Sequence, residues 1–133
     1  MDVLLPAGGR RVLVVEDEYL VADYLADELT ALGFEIEGPF ADCAQTEAWL
    51  ASDTPDLAIL DILLRGGDCL ELARELRRRS VPTLFFTGLF DWPPFHGEFA
   101  GAQVLYKPAC ATHLANSLGR LLGRTVTMSV STY

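Results

Sequence analysis

The chain alternates short, continuous apolar runs with longer stretches in which apolar residues return every three or four positions. The first kind reads as strand buried on both faces, the second as amphipathic helix. "RRVLVVE" (10–16) is a β-branched run of the first kind. "YLVADYLADELTALG" (19–33) is of the second, with Leu20, Tyr24, Leu25, Leu29 and Leu32 as its apolar stripe, Asp23, Asp27 and Glu28 outside it, and Gly33 as its stop. "FEIEGPF" (34–40) alternates as an edge strand does, and a helix is expected from Asp42, its N-cap, to about Ser52. "DLAILD" (56–61) is a third strand. Asp68 is read as opening a helix whose acids, Asp68 and Glu71, come early and whose arginines, Arg74, Arg77, Arg78 and Arg79, come late, as the helix dipole favours. "VPTLFFT" (81–87) and "AQVLY" (102–106) are the fourth and fifth strands, and Lys107-Pro108 leads into a last helix carrying Leu114, Leu118, Leu121 and Leu122.

Such a succession of strand–helix units predicts an α/β fold, a doubly wound five-stranded parallel sheet. The fourth unit departs from the rhythm. "GLFDWPPFHGEFAGA" (88–102) has two prolines, four aromatics and three glycines, which predicts a short or distorted fourth helix. Its aromatics, Phe90, Trp92, Phe95 and Phe99, are read as folding back over the core. The organisation is an N-terminal extension (1–9), one domain (10–123) and a tail (124–133), in which "TVTMSVSTY" alternates like a strand.

Composition narrows the function classes. The length of 133 residues, half of them hydrophobic, suits one domain with a proper core. A net charge of -9 repels a phosphate backbone, so nucleic acid is not an expected partner. The N-terminus lacks the basic start and apolar segment of a signal peptide, and no run approaches membrane-spanning length, so a cytoplasmic protein without membrane contact is expected. Cys43, Cys69 and Cys110 form no C-x-x-C and are read as buried, reduced thiols; His96 and His113 share no metal-type spacing and are read as surface residues.

In a parallel sheet of this kind the strand carboxyl ends meet along one edge, where ligands bind. To that edge strand one delivers Glu16, Asp17 and Glu18, strand three Asp61, strand four Thr87 and Gly88, and strand five Lys107. Carboxylates at such density must bind protons or be neutralised by a cation, and an all-oxygen set suits Mg²⁺. Lys107 is the one lysine beside nine arginines, which points to a need for a compact point charge. Thr87 adds a hydroxyl and Gly88 leaves room beside it. An aspartate flanked by a metal, an ammonium and a hydroxyl has what phosphoryl transfer requires, so Asp61 is the candidate acceptor.

The ordered segments "VVEDE", "AILD", "FFTG" and "YKP" resemble the receiver domains of bacterial two-component response regulators over roughly residues 10 to 123. The resemblance implies a flavodoxin-like sheet and a phosphoacceptor, Asp61, charged from a phosphohistidine of a sensor histidine kinase or a phosphotransfer protein. It implies Mg²⁺ held by Glu16, Asp17, Asp61 and the backbone carbonyl of Leu63, with Thr87, Gly88 and Lys107 binding the phosphoryl group and transmitting its arrival. Such a protein is not an enzyme in the usual sense, although it assists its own phosphorylation and dephosphorylation. With no output module expected after the domain, a stand-alone regulator, monomeric or weakly dimeric, would act on an unknown downstream protein or pass the phosphate on.

Two departures from the pattern stand out. Receivers usually carry a switching aromatic three positions before the lysine; here that position is Val104, and the aromatic is Tyr106. "FFTGLF" (85–90) resembles the F-A-T-G-hydrophobic-Y motif of an alphaproteobacterial subgroup, many of whose members stand alone in stress signalling, with Phe86 for its alanine and Phe90 for its tyrosine. Leu63 and Leu89 flank the acceptor with side chains that cannot orient a water, so slow hydrolysis of the acyl phosphate is expected. With Val104 at the switch position, phosphorylation is expected chiefly to order residues 88 to 102. Two alternatives are a phosphorylation-independent binding module on the same fold and a Mg²⁺-dependent phosphohydrolase. The latter is disfavoured because Leu63 stands where a general-acid carboxylate would be.

Overall fold

The computed structural model describes residues 10–123, and both the N-terminal extension and the alternating tail lie outside them. Five strands, β1 (Arg11–Val15), β2 (Glu35–Phe40), β3 (Leu57–Leu60), β4 (Thr83–Thr87) and β5 (Gln103–Tyr106), form one parallel sheet in the order β2-β1-β3-β4-β5. Four helices, α1 (Tyr19–Ala31), α2 (Cys43–Leu50), α3 (Leu70–Arg78) and α4 (Ala111–Leu122), connect or follow the strands. This is the expected doubly wound, flavodoxin-like arrangement, whose strand order reverses between β1 and β3 and so opens a crevice at their carboxyl ends.

The central strands carry unbroken apolar runs because both of their faces are covered. Val12, Val14, Ile59, Leu84 and Phe86 face Leu25 and Leu29 of α1 and Leu114 and Leu118 of α4. Leu13, Val15, Ala58, Leu60 and Phe85 face Leu50 of α2 and Leu72 and Leu76 of α3. β2, at the sheet edge, has no fully buried residue. Asp42 caps α2 as expected, accepting a hydrogen bond from the Gln45 backbone at 2.8 Å.

Several expectations need correction. Asp68 does not open a helix: it ends a hairpin of two-residue strands, Leu63–Leu64 and Gly67–Asp68, and α3 starts at Leu70. Its carboxylate nonetheless accepts from the Leu70 backbone at 3.1 Å, so an acid still serves the helix start. The hairpin turn uses Gly66 and Gly67 at φ 92° and 144°, angles that disfavour a side chain. Leu20 is 78 % exposed rather than part of the buried stripe; Ala22, Leu25 and Leu29 form the buried face of α1. Of the cysteines only Cys69 is buried; Cys43 is half-buried and Cys110 exposed.

The segment between β4 and β5 holds a single 3₁₀ turn, Pro93–His96, in place of a regular helix. Prolines at the start of this turn and the glycines around it account for the lost helix. Aromatic packing replaces it. Trp92, Phe95 and Phe99 lie within 5.4 to 5.7 Å of Phe85, centroid to centroid, and Trp92 and Phe99 are buried. Glu98 pairs with Arg74 at 2.6 Å and Arg77 at 3.2 Å, and the Arg77 guanidinium covers the Phe99 ring. Phe90 departs from the expected core role: it is 72 % exposed and packs on Tyr106. No helix among the described residues is long and apolar enough to cross a membrane.

Candidate functional site

The backbone ladders run one residue past the strand ends and carry the polar side chains with them. Glu16 N donates to Phe40 O at 2.9 Å, Asp61 N to Val15 O at 3.0 Å, and Lys107 N to Thr87 O at 2.9 Å. Residues far apart in sequence are thereby placed side by side at the carboxyl edge, as the strand reading anticipated. Glu16, Asp61 and Thr87 are buried, and one opening is lined by Asp17, Glu18, Asp61, Leu63, Thr87, Gly88, Leu89 and Lys107.

Oxygen atoms of Glu16, Asp17 and Asp61 all lie within 4.8 Å of one another. Lys107 Nζ lies 2.8 Å from Glu16 Oε1, 3.1 Å from Glu18 Oε1 and 3.1 Å from Asp61 Oδ2. Three carboxylates thus meet one ammonium, and Asp17 adds a fourth to the pocket without touching it. Glu16 Oε1 is buried and has no well-directed hydrogen bond, only its proximity to Lys107. Burial pushes the Glu16 carboxyl up to about 7, with Asp61 adding to the rise, while Lys107 and the Glu18 backbone N–H pull against it. Burial also opposes the Lys107 ammonium, but the carboxylates of Glu16 and Asp61 outweigh it and hold that pKa above its ordinary value. A crowded, undercompensated set of hard oxygen donors, one of them lacking a directed partner, fits a divalent cation such as Mg²⁺.

Thr87 Oγ1 accepts a hydrogen bond from Leu89 N at 3.0 Å, which turns the chain sharply after β4. Gly88 has open space where a side chain would stand. Leu63, 56 % exposed, and Leu89 form an apolar rim beside Asp61. Val104 is half-buried against the α3 side of the sheet, away from this opening. Tyr106 carries the aromatic, exposed and tilted against Phe90 with centroids 4.8 Å apart.

Sequence reasoning left two contacts unfound. In the sequence Glu18 stands with the carboxylates that end strand one, yet it lies outside the metal-type cluster and reaches Lys107 instead. Trp92 Nε1 donates to Asp68 Oδ2 at 3.3 Å, tying the aromatic segment to the hairpin beyond Asp61. Neither had a signal in spacing, because each partner lies in an irregular segment. His96 and His113 are at the surface, as expected, with His96 on Asp91.

A family model described as the response regulator receiver domain matches residues 12–115. The uncharacterized transcriptional regulatory protein YrkP of Bacillus subtilis (strain 168) is 38% identical over 78 residues, 58% of this chain but 33% of that protein. The solution structure of SdrG from Sphingomonas melonis Fr1 is similar with a TM-score of 0.73 and 34% identity, covering 86% of this chain and 97% of that one. The receiver domain of the sensor histidine kinase PA1611 from Pseudomonas aeruginosa PAO1, solved with magnesium in its active-site cleft, matches with a TM-score of 0.74 and 26% identity over 86% of this chain and 98% of that one.

Proposed function

The chain belongs to the response regulator receiver domain family, and from that premise we propose that it is a phosphorylation-dependent signalling protein whose acceptor is Asp61. The donor is a phosphohistidine on a sensor histidine kinase or phosphotransfer protein. The observation that carries this reading is the meeting of Asp61 with Glu16, Asp17 and Lys107 at adjoining strand ends.

Asp61 is a buried carboxylate whose one oxygen contacts Lys107, and attack on phosphorus falls to its other oxygen. A P–O bond to Asp61 forms as the P–N bond breaks, and the departing imidazole takes up a proton. Lys107 supplies positive charge for the phosphoryl oxygens, and the Thr87 hydroxyl has a proton to donate to one of them while its lone pair holds Leu89 N. Glu16, Asp17, Asp61 and the carbonyl of Leu63 would hold Mg²⁺, which when bound offsets the charge of the carboxylates and the phosphoryl group. The product is an aspartyl phosphate, and the signal leaves through contact with a downstream protein or onward transfer. The apolar side chain of Leu63 favours this reading over a phosphohydrolase, since it offers no proton to a leaving group.

The test is incubation with Mg²⁺ and acetyl phosphate, read by intact mass for the wild type and Asp61→Ala. A single phosphoryl adduct that needs Mg²⁺ and is absent from the variant is expected. No adduct in either protein would favour a phosphorylation-independent binding module, and turnover of phosphate monoesters would favour the hydrolase.

A further inference from the structure

Three carboxylates hold Lys107, and they are not equivalent. Glu16 and Asp61 also belong to the cluster whose oxygens lie within 4.8 Å of one another, whereas Glu18 does not. A cation entering that cluster therefore competes with the lysine for two of its partners and leaves it the third. We propose that Glu18 is a positioning residue that retains Lys107 at the mouth of the pocket while the metal takes Glu16 and Asp61. This rests on the Mg²⁺-dependent reading above and extends it to a residue outside the metal and phosphoryl-binding sets.

The backbone is built for the task. Glu18 N donates to Glu16 Oε2 at 3.0 Å, and Glu18 O accepts from Ala22 N at 2.9 Å, so its Cα is fixed at the start of α1. It occupies the N-cap position without making a side-chain cap, which leaves its carboxylate free to reach across to Lys107. The glutamate side chain is 63 % exposed and the lysine side chain 16 %, so Glu18 pulls the ammonium outward while Glu16 and Asp61 pull it inward. Backbone anchoring on the other side is equally firm, since Lys107 N is bonded to Thr87 O. Only the lysine side chain needs to swing. Without Glu18 the ammonium settles fully on Glu16 and Asp61, where it competes with the cation by charge repulsion and by occupying oxygen lone pairs.

Calorimetric titration of Mg²⁺ at physiological salt tests this through a double-mutant cycle. In the wild-type background Glu18→Gln is expected to weaken Mg²⁺ binding about fivefold, the size of a common coupling between contacting groups. In a Lys107→Met background the same substitution is expected to change affinity less than about twofold, because the field of an exposed carboxylate alone is screened. Glu18→Asp supplies a second measurement: it keeps the charge, is one methylene shorter and is drawn to cap α1, so it should behave as Glu18→Gln does. Equal weakening in both backgrounds, or wild-type affinity in Glu18→Asp, would overturn the proposal and leave Glu18 as a source of field only. Absence of Mg²⁺ binding by the wild type would instead overturn the metal-dependent reading of the site.

Discussion

Thr87 holds Leu89 by a hydrogen bond from the Leu89 backbone N–H to the threonine Oγ1, at 3.0 Å. The same hydroxyl is the one expected to turn toward a phosphoryl group on Asp61. Phe90, the next residue, packs on Tyr106 with a centroid separation of 4.8 Å. Any change in the Thr87 side chain therefore reaches Phe90 within three residues and, through it, the exposed ring of Tyr106. Beyond them, Trp92 and Phe99 are already buried and Glu98 is already paired with Arg74. The expectation that phosphorylation chiefly orders residues 88 to 102 is narrowed by this packing to the part of the segment that is not already held. We expect the change on adding Mg²⁺ and beryllofluoride, a phosphoryl mimic, to be concentrated at residues 88 to 91. Amide exchange at Leu89 and Phe90 should shift while that at Phe99 stays constant; a uniform change across the segment would contradict this.

The rim sets a second expectation. Leu63 and Leu89 border the opening over Asp61, and neither carries a group that can orient an attacking water. Replacing Leu63, which is exposed and so tolerant of a polar side chain, should shorten the life of the aspartyl phosphate. For Leu63→Asn we expect hydrolysis faster by about tenfold, below the range of full general-base assistance because an amide is a poor base. Decay of the intact-mass adduct after removal of the donor measures it, and an unchanged lifetime would show that the rim does not control water.

Much of this was legible in the sequence for a physical reason. Parallel strands buried on both faces leave unbroken apolar runs, so β1, β3 and β4 and the polar residues at their ends could be located by eye. Asp61 and Lys107, 46 residues apart, were brought to one pocket by that reading alone and lie 3.1 Å from each other. What escaped it lacks a period. A hairpin of two-residue strands leaves no alternation to detect, and Asp68 reads as a helix start because acids there are favoured by the dipole. Leu20 keeps helical spacing with the core residues of α1 but stands on its first turn, where it lines a surface groove with Tyr24, Phe86 and Pro108 instead of entering the core. The side-chain contacts Glu18–Lys107 and Trp92–Asp68 join segments whose relative placement only the fold decides.

The aromatic substitute for a fourth helix makes a separable stability prediction. Trp92 is 4 % exposed, touches Phe85, Phe95 and Phe99, and bonds Asp68 through its indole N–H. Trp92→Ala should destabilise the domain by about 3–5 kcal/mol, as other large-to-small aromatic truncations do. Trp92→Phe keeps ring packing but strands the Asp68 oxygen, which retains solvent access, so a smaller loss is expected. Denaturant unfolding measures both. Phosphorylation by acetyl phosphate should survive in Trp92→Phe, since the ring does not line the opening over Asp61.

Glu16 sets the pH dependence. Its folded-state carboxyl, raised by burial to about 7, exceeds its ordinary value of 4.5, so the metal-free fold binds a proton more tightly than the unfolded chain does. The stability this contributes is complete below the unfolded value and is lost as pH rises through about 7. A bound cation reverses the preference, because it requires the ionised carboxylate. Mg²⁺ affinity should therefore be level above about pH 8 and fall below about pH 7, approaching tenfold per pH unit for the one proton displaced. Thermal unfolding with and without Mg²⁺ reads the same competition: the rise in Tm at fixed Mg²⁺ should be larger at pH 8 than at pH 6. In Glu16→Gln the side chain cannot ionise, so the metal-free protein should lose its destabilisation between those two values. A wild-type Mg²⁺ effect that is equal at both pH values would mean that Glu16 is already ionised in the free domain, with Lys107 overcoming the cost of its burial.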